Sequence, residues 1–141
     1  MSIVLTERRA EQRMPWLLAL YAAAALLHFA HNAEFLAHYP NLPASWTRAD
    51  VYLAWCGVTA VGLLGYLLFR GGYRRIGLTL LAAYGTLGFG GLLHYTRASI
   101  TLHSAAMNFT IWAEVAAAAV FLLNVAIVAT RHGDGNATTA A

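Results

Sequence analysis

The chain has 141 residues, 60% of them hydrophobic and 11% charged, and its mean hydropathy of +0.57 leaves too little polar surface for a soluble domain. Three prolines, one cysteine and apolar stretches of about twenty residues exclude a disulfide scaffold, a collagen-like chain and a disordered polymer. The net charge of +3 comes from arginine without any lysine. Because these arginines flank apolar segments instead of lining one face of a polar domain, nucleic acid is excluded as a partner, and the lipid bilayer is the expected solvent. Cys56 lies alone in an apolar run, which argues against thiol exchange and cysteine-based metal clusters.

Residues 1–15 read as an N-terminal segment ahead of a first span from about Trp16 to His38, with Pro15 in the first helical turn, where its missing N–H is harmless. The run is too long for the apolar core of a cleaved signal, and no small-x-small site follows it, so it reads as a signal anchor. Pro40 and Pro43 then break the helix, and Trp46 suits a loop lying at the membrane interface. A second span covers about residues 51–69, with Thr47 or Asp50 as N-cap, and the Arg70–Arg75 turn closes it. It carries Gly57, Gly62 and Gly65 and no ionisable group, and reads as a packing helix. A third span covers about residues 76–95 and a fourth about residues 103–130, leaving 131–141 as a polar, disordered tail.

Seven arginines (Arg8, Arg9, Arg13, Arg70, Arg74, Arg75 and Arg131) fall on one side of this arrangement, and Arg48 and Arg97 on the other. The arginine-rich side is expected to be cytoplasmic. The expected architecture is therefore an all-α integral membrane protein, an antiparallel four-helix transmembrane bundle in the cell (inner) membrane with both termini cytoplasmic. The glycosylation-type triplet at Asn136 has no use on a cytoplasmic tail.

Five histidines gather toward the outer half: His28, His31, His38, His94 and His103. At about 100° per residue, His28, His31 and His38 share an arc of roughly 80°, with Glu34 beside them and Asn32 on the other flank. The same arithmetic puts His103, Met107, Thr110 and Glu114 within roughly 60° on the fourth span, where Asn108 adds a further polar group. His28 and Glu114 both lie about 15 Å below the outer surface, near the midplane. Ionisable groups at that depth are expensive and face the bundle interior, paired with one another. Glycines from Gly85 to Gly91 allow close approach of a helix or a flat ligand.

Three functional readings follow. The leading one is a transition-metal site for zinc, copper or iron, used in uptake, delivery or sensing, with ligands His31, Glu34, His38, His94 and His103. The second is a b-type haem in an electron-transfer subunit, held by His94 with His31 or His38. The third uses His28 and Glu114 as a proton pair in a proton-coupled transporter or a lipid-modifying enzyme. For single histidines, and for Met107, Asn32 and Asn108, the ordinary alternative is hydrogen bonding and packing, and docking against a larger membrane complex or a second copy is the non-catalytic alternative for the whole stripe.

Overall fold

An apolar chain in lipid must satisfy its backbone polar groups internally, and a helix does so within one segment. The computed structural model describes residues 2–137, with side chains from Arg8 to Thr130, and its regular elements are all helical. They are α1 (Ser2–Glu34), α2 (Arg48–Arg70), α3 (Arg74–Leu87), α4 (His94–Arg97) and α5 (Ala105–Ala137), with short 3₁₀ turns between them. Four segments are long and apolar enough to cross a membrane: Arg8–Glu34, Arg48–Arg70, Arg74–Arg97 and Ala105–Thr130.

Helix α1 begins well before the expected Trp16 boundary, so Pro15 lies inside it and not in its first turn. An internal proline cannot donate to the carbonyl one turn back. Asn124 of α5 places its amide against this stretch and donates to the Ala10 carbonyl at 3.0 Å. At the other end α1 stops at Glu34, short of His38, which sits in a 3₁₀ turn over Leu36–His38. Pro40 accounts for the exit from helical backbone at Tyr39, because the residue before a proline is driven to extended backbone, and Tyr39 has φ −76° and ψ 123°.

Thr47 caps α2 in a reciprocal box with Asp50, as the sequence suggests. Gly72, at φ +92°, makes the reversal into α3, which packs closely on α2. A Cβ on Gly62 would come within 2.4 Å of the Tyr84 ring, and one on Gly77 within 2.4 Å of the Phe69 backbone. Gly57 has open space around it and takes no part in that packing. The third span is not one uniform helix: α3 tightens into 3₁₀ turns over Gly88–Leu93 before α4.

Helix α1 packs mainly on α5, and α2 on α3, with α1–α2 and α3–α5 contacts closing the ring. Met14, Tyr21, Leu81, Tyr84, Phe121 and Val128 fill the half of the bundle remote from the 35–47 and 98–104 loops. Here Tyr21 donates to the Tyr84 carbonyl at 3.1 Å. Helix α5 continues past Thr130 to Ala137, through part of the stretch read as a tail, and residues 138–141 lie outside the described residues.

Candidate functional site

His28 and Glu114, matched along their helices by residue count, are in contact. His28 Nδ1 of α1 meets Glu114 Oε2 of α5, with the two residues 3% and 2% exposed. The close approach depends on glycine in the facing 3₁₀ segment. A Cβ on Gly91 would lie 3.1 Å from His28 Cε1 and 3.4 Å from Glu114 Oε2. One on Gly88 would lie 2.5 Å from the Ala118 Cβ and 2.6 Å from the Tyr21 hydroxyl. The glycine-rich run thus lets the third span lie against the face of α1 and α5 that carries the His28–Glu114 contact.

His28 and Glu114 also line a pocket of about 180 Å³ that reaches from the pair toward the loops. Asn32, Gly91 and His94 continue its polar side, and Phe29, Leu36, Leu42, Trp46, Leu87 and Leu93 supply apolar walls. Arg97 lies at its loop end. His28 Nε2 and Asn32 Oδ1 belong to lining residues, are buried, and have no hydrogen-bond partner. Buried polar atoms are nearly always paired, so these two, on residues that line one pocket, are candidates for contact with a ligand group or water.

Nearer the loops, His94 is the centre of a group of rings. Its ring centroid lies 5.4 Å from His28, 5.0 Å from Tyr39 and 6.2 Å from His103. Asn32 donates to His94 Nε2 at a long 3.4 Å, which puts the His94 proton on Nδ1 when the ring is neutral. Tyr39 is 3% exposed, and its hydroxyl pairs with His31 Nδ1 at 2.9 Å. Burial pushes the Tyr39 phenol up to about 12, a bond with Thr110 opposes this, and Tyr95 adds to it. The sequence marks Tyr39 only as an aromatic immediately before Pro40, which does not single it out as a site residue.

The remaining residues serve the loops. His103 is not part of α5, but caps a 3₁₀ turn with extended backbone and donates from Nδ1 to the Ser99 carbonyl at 3.0 Å. Asn108 donates to the Ile100 and His103 carbonyls at 3.2 and 3.3 Å and accepts from Tyr95 at 2.8 Å. Ser104 accepts from the Met107 N–H at 3.2 Å at the start of α5.

The Glu34-centred ligand set does not come together. Glu34 turns to Arg48 at 2.7 Å and Tyr52 at 2.9 Å, His38 is exposed, and His31 is engaged by Tyr39. Among the described residues no three His, Cys, Asp or Glu side chains are grouped so as to hold a metal ion. The physical reason is the early end of α1, which removes His38 from the helical face shared by His28 and His31. His94 faces His28 and Tyr39. No protein-family model matches the chain, and no curated protein or solved structure shows significant similarity to it. Functional assignment therefore rests on the geometry of this site.

Proposed function

We propose that this chain is an integral membrane protein that binds a small molecule in the His28–Glu114 pocket and exchanges a proton with it. The class of chemistry is acid–base catalysis, such as an isomerisation, on a substrate that enters that pocket. The observation that carries this reading is the buried His28–Glu114 contact at the floor of a pocket, with His28 Nε2 left unpartnered. In an ionised state Glu114 accepts the Nδ1 proton of His28 and so fixes the tautomer that leaves a lone pair on Nε2. That nitrogen takes a proton from the substrate, Glu114 stabilises the imidazolium formed, and return of the proton to a second substrate atom completes an isomerisation without net change. The logic is that of a carboxylate orienting a histidine base.

The arginine bias favours an outward loop end, and in that orientation the pocket opens to the outer side. The tightly packed Tyr21, Tyr84 and Phe121 layer beneath the pair favours chemistry at the pocket over passage through the bundle. A metal-binding role would need His31, Glu34, His38, His94 and His103 to converge, and the proton-pair reading requires no such rearrangement.

The test is ultraviolet difference titration of the detergent-purified protein with phenol, a one-ring probe with one hydroxyl, whose transfer of a proton to His28 leaves bound phenolate. Saturable binding with the red-shifted absorption of phenolate is expected for the wild type. Binding is expected to lose that absorption shift in Glu114→Gln and His28→Gln. Proton exchange that persists in both variants, or no saturable binding to the wild type, overturns the reading.

A further inference from the structure

Arg97 gives the pocket a charged end that proton exchange at His28 does not use. It closes α4, its side chain is exposed, and Asn41 anchors its backbone by donating to the Arg97 carbonyl at 2.8 Å. The carboxylates with described side chains are engaged elsewhere: Glu11 with Arg74, Glu34 with Arg48, Asp50 with Thr47, and Glu114 with His28. Among the described residues no acid pairs with Arg97, so its cation is available to a ligand.

Pocket size and length narrow the class. Arg97 lies six residues beyond Gly91, the glycine beside His28, which at α- and 3₁₀-helical rise is about 9–12 Å along the bundle. Between these ends the walls are Phe29, Leu36, Leu42 and Trp46. The volume of about 180 Å³ is of the order of the roughly 150 Å³ apolar cavity that holds a benzene ring. A lipid acyl chain needs a longer groove.

We infer that the pocket takes a one-ring aromatic acid, with its carboxylate on Arg97, its ring against Phe29 and Trp46, and a hydroxyl at the far end on His28 Nε2 or Asn32 Oδ1. The inference deepens the proton-exchange reading and rests on it for the role of the hydroxyl end. A guanidinium holds a carboxylate through paired charge-assisted bonds. The two orphan atoms at the other end supply one acceptor each to a ligand O–H.

The experiment compares 4-hydroxybenzoate, benzoate and phenol by calorimetry on the detergent-purified full chain, as wild type, Arg97→Gln, Arg97→Lys and Glu114→Gln. For the wild type, 4-hydroxybenzoate binds tightest. Arg97→Gln weakens both acids by about ten- to hundredfold with little change for phenol, and Arg97→Lys recovers part of the loss. Equal affinity of the wild type for phenol and 4-hydroxybenzoate, or an acid preference that survives Arg97→Gln, overturns the inference and leaves proton exchange at His28 standing. Proton exchange that survives Glu114→Gln overturns the proton-pair reading without touching the Arg97 assignment. Binding to phosphatidylglycerol vesicles through Arg97, with no competition by either acid, assigns the cation to lipid headgroups and also overturns the inference.

Discussion

At the scale of single residues, the chemistry of this chain is concentrated where a polar side chain is buried and has one partner. His28 and Glu114 satisfy each other across α1 and α5, so removing either leaves the other stranded. Thermal unfolding of His28→Leu, Glu114→Leu and the double variant in detergent should therefore give a coupling of about 1–3 kcal/mol, with the double variant less damaged than the sum of the singles. Additivity within about 0.5 kcal/mol would show that the two do not interact. Tyr39 provides a pH-dependent counterpart. Its folded phenol is raised from 10.0 to about 12, so the folded state holds its proton where the unfolded chain has released it. That contribution is fully present below pH 10 and is lost as pH rises toward 12. Tyr39→Phe should flatten part of the alkaline fall in melting temperature, and an unchanged alkaline limb would contradict this account. The His28–Glu114 pair was legible in the sequence because a helix converts residue number directly into depth. Tyr39 was not, since nothing local tells a buried loop aromatic from an interfacial one.

At the scale of elements, the decisive segment is Gly88–Leu93, where the third span tightens to a 3₁₀ helix beside the pair. Two of its glycines should behave in opposite ways. A methyl group on Gly88 would strike Ala118 and Tyr21, whereas one on Gly90 meets nothing within 4 Å. Gly88→Ala should lower stability by about 1–3 kcal/mol, as overpacking does, and Gly90→Ala should leave it equal or higher. Equal melting temperatures for the two variants would mean that the close approach at Gly88 does not constrain the fold. The four apolar spans and the Thr47 cap were readable because periodicity, length and capping chemistry are local. The ends of α1 were harder to read. The sequence suggests a helix start at Pro15, whereas α1 accommodates it internally, with Asn124 donating to the nearby Ala10 carbonyl. Spacing alone puts His38 on α1, whereas that helix ends at Glu34 and His38 lies in a 3₁₀ turn.

At the scale of the whole molecule, α1 and α5 meet along their length, which brings residues 86 positions apart into one buried pair. Their alignment is held at one end by the His28–Glu114 contact and at the other by Asn124 against Ala10. Helix α3 is tied to the start of α1 by Arg74, which bonds Glu11 at 2.6 Å and lies 4.9 Å over the Phe69 ring. With four spans and arginines concentrated on one side, both ends of the chain should lie in the cytoplasm. Fluorescent-protein fusions at either terminus should fluoresce and alkaline phosphatase fusions should be inactive, while a cysteine introduced at Ser45 should react with an impermeant maleimide from outside. The opposite labelling pattern would place the pocket on the cytoplasmic face.

Composition, hydropathy and arginine placement were enough to give four apolar helices and an expected orientation, because those properties depend on each segment's exchange with lipid and water. Helical periodicity also placed His28 and Glu114 at a common depth. Which side chains share a site was decided by tertiary structure: by where α1 stops, by the direction Glu34 turns, and by glycines that let the third span approach α1 and α5. The physical reason is that depth follows from position along one helix. Partnership depends on the rotation and end points of several helices at once, and these are set by packing between segments far apart in the chain.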